Sequence, residues 1–444
     1  MTVPVYAYVL FQAFQSYEQF MSLIGLVLLI VISCMMSKFP SKIKLWPLIN
    51  GLWLQFVMAL VVLKWEPGKE FLNMIMLKTV GFLNYAQNGT HYVYGFVANP
   101  PDICGMDAPY AFTSLPVITF FGALCNVLYY WGIMQWLLIR LATVFQVTLG
   151  TTTAESLNAI SSSFLGPTEA SVFVSKALPT MTQSEIVSTM TAGYAMISSS
   201  LFTVYINFGA CPLYLIAANV MSAPAVLVIS KLIYPETRPK KDSKKFNFPR
   251  PPESSVLESL CNGATASVPI IASILVNLIV SVALIVLIDN SIRWLGGLVG
   301  HPEISFNQLM SWMFYPFAYI LGVVSSSEQT ANVAKLIGLK TVLNEFYAYQ
   351  QMQEMLLNNE ITGRSQLIAV FALCGYSNFS QIGSQIGIFG ALCPSRQRNF
   401  VKAAVISMIA GEIACFMTAA IAGIILGDVP GCSPSTASES CFKV

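Results

Sequence analysis

Charge is scarce in this 444-residue sequence, since only 10% of the residues are Asp, Glu, Lys or Arg while 55% are hydrophobic. Soluble domains usually carry about 25% charged residues, so the composition excludes an ordinary soluble protein. Histidine is rarer still, with two in the chain, and the ten cysteines show no metal-type spacing. We therefore expect neither a bound metal nor a histidine-based catalytic site.

The first 20 residues also lack the basic stretch that opens a secretory signal peptide, so no cleaved leader is expected. Long uncharged runs are abundant instead, and a helix needs about 20 apolar residues to cross a hydrocarbon core of roughly 30 Å. Together with 403–427, in which Glu412 is the one charged residue, these runs predict about eight spans and an all-α polytopic membrane protein. The uncharged runs are 19–37, 45–63, 108–139, 186–230, 259–288, 304–327 and 365–395.

Basic residues are concentrated in three segments between the predicted spans, namely 38–44, 231–250 and 396–402. Cytoplasmic loops are rich in Lys and Arg. If all three segments are cytoplasmic, one consistent topology results, with both ends of the chain outside. The second segment, rich in Pro and Lys, is then a cytoplasmic linker rather than a nucleic-acid-binding segment.

This topology places two candidate modification sites outside the cell. The sequence "NGT" makes Asn88 a usable N-glycosylation site. Asn378 begins a similar pattern, but it lies inside an apolar run that glycosylation enzymes do not reach. In the polar C-terminal segment, Cys432 and Cys441 are candidates for a disulfide in an oxidising compartment.

Two carboxylates lie inside apolar sequence, Glu169 in "LGPTEAS" and Glu345 in "TVLNEFYAYQQM". A charge at the bilayer centre costs at least about 2.5–3.5 kcal/mol, so such residues are usually functional or paired. Each is flanked by two apolar arms that are too short to cross the membrane twice, which predicts a re-entrant hairpin with its tip in protein or water. The alternative is a glutamate that pairs with a lysine at the membrane interface.

Each predicted hairpin is followed by an interrupted apolar segment. The first is "TAGYAMISSSLFTVYINFG" and the second is "FALCGYSNFSQIGSQIGIFG". Interrupted segments in corresponding halves of a chain point to a transporter site near the bilayer midplane. By the topology above, the first hairpin enters from inside and the second from outside, so the sequence predicts an inverted repeat with two opposed re-entrant hairpins and interfacial helices.

No Lys or Arg lies at either tip, which disfavours an anionic substrate and favours a neutral, hydroxyl-rich solute or a cation. A channel would need a ring of charges or carbonyls around an oligomer axis. A membrane enzyme would need a nucleophile and base, or a set of metal ligands. The sequence shows neither pattern, so a transporter is the preferred interpretation and an enzyme is not expected.

At these residues the sequence closely resembles the concentrative nucleoside transporters, along nearly the whole chain. The resemblance implies a homotrimer in the plasma membrane, whose protomers each import one nucleoside by an elevator-like motion driven by Na⁺ or H⁺, without a cofactor. The chain looks like the eight-span core, without the extra N-terminal spans of many animal members. The matching stretches are "MSLIGLVLLI", "LPVITFFGALCNVLYYWGIMQWLLIR", "MTQSEIVSTMTAGY", "MSAPAVLVISKLIYPET", "AKLIGLKTVLNEFYAYQQM", "FALCGYSNFS", "CPSRQRNFVKAAV" and "IACFMTAAIAGIIL".

The resemblance also implies a division of the chain and a substrate site. The predicted division is 1–140 (scaffold spans and an interfacial helix), 141–234 (first transport repeat), 235–257 (basic cytoplasmic loop), 258–300 (scaffold span), 301–427 (second transport repeat) and 428–444 (extracellular tail). The implied site residues are Gly166, Pro167, Thr168 and Glu169 at the first hairpin tip, Leu201 and Tyr376 beside the nucleobase, and Glu345, Asn378 and Gln381 beside the ribose.

Two of these positions depart from the family pattern. The first tip usually reads Gly-Gln-Thr-Glu, and Pro167 removes the amide that could bond a base. The second ribose position is usually Ser, and here it is the longer Gln381. Substrate preference therefore stays open, and a nucleoside-binding homologue that does not transport, with a receptor or regulatory role, is the alternative function.

The cation site departs further. Na⁺-coupled members supply side-chain oxygens from an Asn and a Ser or Thr, at the positions of Ser162 and Met196 here, beside the backbone carbonyls of Leu165 and Ile197. Because hard cations prefer oxygen ligands, a thioether is a poor substitute. We therefore expect weak or absent Na⁺ coupling and a proton as the coupling ion, carried by one of the two hairpin carboxylates, Glu169 or Glu345.

Overall fold

The protein consists of helices and short connections in the residues that the computed structural model describes, which are 2–100, 109–113, 115–238, 253–301 and 303–427. No strand occurs within these ranges, and the predicted all-α architecture is confirmed. The centre of the predicted cytoplasmic loop and the tail with Cys432 and Cys441 lie outside them. The helices are α1 (Thr2–Ala13), α2 (Tyr17–Met35), α3 (Leu45–Ala59), α4 (Glu66–Tyr94), α5 (Tyr110–Thr113), α6 (Val117–Tyr130), α7 (Ile133–Leu149), α8 (Thr153–Phe164), α9 (Pro167–Phe173), α10 (Gln183–Ala195), α11 (Phe202–Asn207), α12 (Pro212–Ile233), α13 (Val256–Leu298), α14 (Phe306–Ile320), α15 (Ser327–Val342), α16 (Glu345–Leu357), α17 (Gly363–Leu373), α18 (Phe379–Leu392) and α19 (Gln397–Ile425).

Six helical segments of the described chain are long and apolar enough to cross a membrane. Two further crossings are interrupted, α10–α11 at residues 196–201 and α17–α18 at residues 374–378. Six continuous and two interrupted helices together account for the eight predicted spans. The six continuous segments are Tyr17–Met35, Leu45–Lys64, Ala111–Tyr130, Pro212–Ile233, Val256–Leu298 and Pro394–Ile425.

The same order of elements occurs twice. A short helical hairpin, an interrupted helix and a long helix follow one another as α8–α9, α10–α11 and α12, and again as α15–α16, α17–α18 and α19. We call α8–α9 hairpin 1 and α15–α16 hairpin 2. α10 packs against α19 and α12 packs against α17, so each interrupted helix contacts the long helix of the other repeat.

Polar residues set the limits of hairpin 1. Thr152 and Glu155 form a capping box at the start of α8, and Thr182 and Glu185 form another at the start of α10. In this motif two side chains satisfy backbone N–H groups that have no partner within the helix. The sequence therefore starts a helix on each side of the hairpin, at the same end of the bundle.

The two hairpins enter the bundle from opposite ends of α19. This helix has 29 residues, which corresponds to a length of about 43 Å. At its beginning, Arg396 donates to the carbonyl of Met181 at the base of hairpin 1 (2.9 Å). At its end, the carbonyl of Leu426 accepts from Arg364, which follows hairpin 2 (2.7 Å). The predicted opposed arrangement is confirmed.

The three basic segments meet at one end of the bundle, as the predicted topology requires. The backbone N–H of Lys38 donates to the carbonyl of Ile233 at 2.9 Å, and the Lys38 ammonium donates to the Tyr234 hydroxyl at 3.2 Å. The third segment begins at Arg396, whose guanidinium bonds the base of hairpin 1 at the same end.

α6 and α13 form a separate pair at the edge of the repeats. A Cβ at Gly263 would lie 2.6 Å from the carbonyl oxygen of Gly122, so the glycines allow the two helices to cross closely. α13 exposes most of its apolar surface, which suits contact with lipid. α2 packs against α19 and α3 against α12, so two helices of the predicted scaffold region 1–140 contact the repeats directly.

Candidate functional site

The tip of hairpin 1 is a tight turn that needs glycine. Gly166 has φ = +108°, and a Cβ there would lie 2.8 Å from the Cβ of Ser198. α9 then begins at Pro167, whose missing N–H costs nothing at a first helical position. Thr168 and Glu169 consequently occupy the first turn of α9 and lie next to the interruption of α10–α11.

The tip of hairpin 2 is built around a helix cap. The Asn344 side chain accepts a hydrogen bond from the backbone N–H of Tyr347 at 2.9 Å, and α16 begins at Glu345. Only 3% of the Glu345 surface is exposed. Its carboxylate accepts from the amide nitrogen of Asn378 at 2.9 Å and from the hydroxyl of Tyr205 at 3.4 Å. Hairpin 2 is thereby joined to both interrupted helices.

The two interruptions contact each other directly. The backbone N–H of Ser198 donates to the hydroxyl of Tyr376 at 3.0 Å. Asn378 caps α18 by accepting from the backbone N–H of Gln381 at 2.9 Å. Two hairpin tips and two helix interruptions therefore converge, which brings together residues that are more than 200 positions apart.

These elements enclose a cavity of about 380 Å³. Eight of the nine residues predicted for the substrate site line it, and the ninth, Gly166, immediately precedes Pro167. The opposite wall comes from α6 and α13. The lining residues are Ile118, Pro167, Thr168, Glu169, Ser198, Leu201, Pro269, Ile270, Ser273, Ile274, Leu278, Asn344, Glu345, Phe346, Tyr376, Asn378, Ser380, Gln381, Ser384 and Ile388.

The polar lining residues of this cavity are concentrated on the side of the repeats. Its polar groups are two carboxylates, two amide side chains besides Asn344, and several hydroxyls, all contributed by the repeats except the hydroxyl of Ser273 on α13. The wall from α6 and α13 is mostly apolar. Neither Glu169 nor Glu345 forms an ion pair with Lys or Arg among the described residues, so the interfacial-lysine alternative finds no support there. Such a cavity can accept hydrogen bonds from hydroxyls on one side and cover a flat ring on the other.

The four predicted cation-site residues lie around the end of α8 and the interruption of α10–α11. The carbonyl of Leu165 accepts from the Ser198 hydroxyl at 2.7 Å. The carbonyl of Ile197 accepts from the side chain of Asn219 at 3.0 Å. Met196 is fully buried, and its sulfur accepts from the hydroxyl of Ser163 at 3.0 Å.

Ser162 differs from its neighbours, because its hydroxyl is buried and has no hydrogen-bond partner among the described residues. Ser162 also supplies the one side-chain oxygen among the four predicted cation positions.

The predicted glycosylation site lies outside this region. Asn88 is exposed on α4, which leaves its side chain accessible.

Ser198, Ser380 and Ser384 line the cavity but were not among the predicted site residues. The run of serines after Ile197 could have indicated that Ser198 lies at the site. The apolar lining residues of α6 and α13 could not have been found from the sequence, since they lie in uninterrupted apolar sequence.

Three family models match consecutive parts of the chain. Residues 24–97 match the Na⁺ dependent nucleoside transporter N-terminus, residues 111–211 match Nucleoside recognition, and residues 214–423 match the Na⁺ dependent nucleoside transporter C-terminus.

Full-length relatives show the same similarity. Solute carrier family 28 member 3 of Eptatretus stoutii is 36% identical over 92% of this chain and 61% of its own length. The Homo sapiens protein of that name is 35% identical over 92% of this chain and 60% of its length. Sodium/nucleoside cotransporter 1 of Rattus norvegicus is 35% identical over 96% of this chain and 68% of its length. The chain thus spans about three fifths of the length of the member 3 proteins.

Solved structures agree. CNTnw in an inward-facing substrate-bound state superposes with a TM-score of 0.87 and 29% identity, over 92% of this chain and 98% of that chain. A doubly substituted CNTnw in an outward-facing state superposes with a TM-score of 0.86 and 29% identity, over 92% of this chain and 98% of that chain. These matches confirm the predictions of a multi-pass plasma-membrane protein that is not an enzyme, and the chain belongs to the concentrative nucleoside transporter family.

Proposed function

We propose that the chain imports nucleosides by secondary active, cation-coupled symport. The observation that carries this proposal is the cavity in which both hairpin tips and both helix interruptions meet, with Glu169 and Glu345 on its polar side. Carboxylates accept strong hydrogen bonds from hydroxyls, so Glu345 and Asn378 bind the ribose. Leu201, Tyr376 and the first tip contact the base, with Gly166 and Pro167 setting the path of the tip.

Pro167 and Gln381 tune which nucleoside is accepted. Proline at the tip offers no side-chain amide to the base, so base recognition relies on Thr168 and Glu169. Gln381 lines the cavity with a long amide side chain that donates as well as accepts. The tip therefore offers the base the acceptor oxygens of Glu169 and the hydroxyl of Thr168, while Gln381 lies with the residues that bind the ribose.

Alternating access is of the elevator type, in which the two repeats move together past α6 and α13. A second cavity of about 400 Å³ shares Ile118, Thr168, Glu169 and Ile270 with the first, and it extends along α6 and α13 as far as Glu253. Since Glu253 belongs to the predicted basic cytoplasmic loop, this second cavity gives the substrate a way to the cytoplasm.

A proton is the coupling ion. Of the four predicted cation positions, only Ser162 has a side-chain oxygen, while the carbonyls of Leu165 and Ile197 already accept hydrogen bonds. Na⁺ would have to be held beside the thioether of Met196, which is a poor ligand for a hard cation. Of the two carboxyl groups that line the substrate cavity, Glu345 binds the ribose as a carboxylate, which leaves Glu169 to carry the proton.

The active form is a homotrimer in the plasma membrane, with the predicted division of the chain into scaffold and transport regions. Asn88 is glycosylated on the outside. The exposed apolar surface of α13 suits contact with lipid or with neighbouring copies.

Uptake of radiolabelled uridine and adenosine tests the proposal in cells that express the chain. The three conditions are Na⁺ buffer at pH 7.5, choline buffer at pH 7.5 and choline buffer at pH 5.5. Uptake that survives Na⁺ removal and rises with acid supports proton-coupled import. Uptake that needs Na⁺ refutes the coupling assignment, and binding without any uptake at the cell surface supports the non-transporting alternative.

A further inference from the structure

A buried polar network lies behind the candidate site. Lys340 of hairpin 2 donates to the hydroxyl of Ser377 at 2.6 Å and forms an ion pair with Glu412 of α19. The Ser377 hydroxyl in turn donates to the Glu412 carboxylate at 2.5 Å. The exposed fractions are 0% for Lys340 and Ser377 and 7% for Glu412, so the network is shielded from solvent.

Stability alone does not account for such a network. Two charges taken out of water lose their hydration, and replacing a buried ion pair by apolar side chains is often neutral or stabilising. Within a membrane-spanning bundle, buried ionisable residues usually have a function. The ion pair of Lys340 and Glu412 is therefore better explained by what it holds in place.

What it holds is the interruption between α17 and α18. Ser377 lies between Tyr376 and Asn378, and both of these neighbours line the substrate cavity. The hydroxyl of Ser377 forms hydrogen bonds with Lys340 and Glu412, whereas the amide of Asn378 donates to the Glu345 carboxylate at 2.9 Å. The backbone of the interruption is thus fixed on the side away from the cavity.

The first repeat contains a neutral counterpart. Asn219 of α12 donates to the carbonyls of Ser163 (2.6 Å) and Ile197 (3.0 Å), and its side-chain oxygen accepts from the N–H of Ile197 at 3.0 Å. Ile197 immediately precedes Ser198, as Ser377 immediately precedes Asn378. In both repeats, a polar side chain of the long helix joins the first arm of the hairpin to the residue before a cavity-lining residue.

We propose that Lys340, Ser377 and Glu412 are positioning residues that set the specificity of the site for ribose hydroxyls. They act through Asn378, whose side chain they hold at a fixed distance from Glu345. This inference rests on the proposed nucleoside site.

The direct test is the variant Ser377→Ala, which removes the shared hydroxyl and leaves the ion pair of Lys340 and Glu412 in place. Affinities for uridine and for 2′,3′-dideoxyuridine are measured on the purified full chain in detergent by ligand-induced thermal shift. The control is Ser222→Ala, because the Ser222 hydroxyl is equally buried but bonds only the carbonyl of Ala218 in its own helix (2.8 Å).

The parent chain is expected to prefer uridine by at least about 10-fold, since hydrogen bonds to charged groups are strong. Ser377→Ala is expected to reduce this preference to about threefold or less, with unchanged affinity for the dideoxy ligand, whereas Ser222→Ala keeps the parental preference. A Ser377→Ala chain that keeps the full preference overturns the inference. A parent chain that binds neither ligand overturns the proposed function, and the inference with it.

A second set of variants separates positioning from simple stabilisation. Lys340→Met or Glu412→Leu alone leaves an unpaired buried charge and is expected to lower the yield of folded protein, whereas the double variant restores it. If the network only stabilised the fold, the double variant would also recover the parental preference for uridine. The inference expects the double variant to fold and to discriminate between the two ligands as poorly as Ser377→Ala. If the double variant does not yield folded protein, the result for Ser377→Ala alone decides whether the network sets specificity.

Discussion

Replacing Glu345 by glutamine tests the proposed ribose contact with little change of shape. Glutamine can still accept from Asn378 through its remaining oxygen, and its amide can donate to the hydroxyl of Tyr205, so the hydrogen bonds of Glu345 at 2.9 and 3.4 Å both have a substitute. What the variant loses is the charge. We therefore expect Glu345→Gln to fold and to bind nucleosides more weakly.

The size of the loss follows from the two ribose hydroxyls. A hydrogen bond to a charged group contributes about 1.5–3 kcal/mol and one between neutral groups about 0.5–1.5 kcal/mol, so each hydroxyl loses about 1–1.5 kcal/mol. Two hydroxyls together lose about 2–3 kcal/mol, which corresponds to about 30- to 150-fold in affinity. For 2′,3′-dideoxyuridine, which lacks both hydroxyls, we expect a change of about threefold at most.

The assay is equilibrium binding of labelled uridine to the purified chain, with competition by the dideoxy ligand. Glu354→Gln is the matched control, because Glu354 is exposed on the same helix and accepts a hydrogen bond only from Gln351 (3.0 Å). Equal losses for both ligands would show that Glu345 shapes the cavity rather than contacting the ribose. Uridine affinity within threefold of the parent would refute the contact altogether.

Three further predictions follow from the geometry. Gly166→Ala places a Cβ 2.8 Å from a neighbouring carbon at a residue with φ = +108°. We expect about 1–3 kcal/mol of strain, which lowers the melting temperature and abolishes uridine binding. The control Gly297→Ala, with open space around the added Cβ, should leave the melting temperature and uridine binding unchanged. The double variant Ser162→Asn, Met196→Ser supplies two oxygen ligands and should make uridine uptake dependent on Na⁺; uptake that still ignores Na⁺ would show that the coupling site is determined elsewhere. Asn88→Gln should remove a glycan visible as a mobility shift after glycosidase treatment of the parent chain, and an unshifted parent would contradict the predicted outside location.

The central elements of the fold could be predicted because they interrupt apolar sequence. A carboxylate beside Gly and Pro, as at Glu169, cannot lie in a plain lipid-facing helix, so it marks a hairpin tip. The same reasoning found Glu345 and Asn378, and the structure brings all three to one cavity. Local chemistry was sufficient here, since each signal lies within a few residues of its cause.

The other half of the cavity could not be found in this way. Ile118 and Ile270 line the wall opposite the carboxylates, but they lie in apolar runs where any residue could equally face lipid. The network behind the site was hidden for a different reason. Glu412 was visible as a lone charge in an apolar run, yet its partner Lys340 is 72 positions away, and the two meet because α17 packs against both α15 and α19.

The most direct test of the proposed function is accumulation of uridine by the purified chain in proteoliposomes, with an acidic exterior and no Na⁺ on either side. We predict uptake well above the equilibrium level, which a protonophore abolishes and the variant Glu345→Gln lacks. Uridine that merely equilibrates would show a carrier without proton coupling. Accumulation that appears only with an inward Na⁺ gradient would contradict the assignment of the proton as the coupling ion.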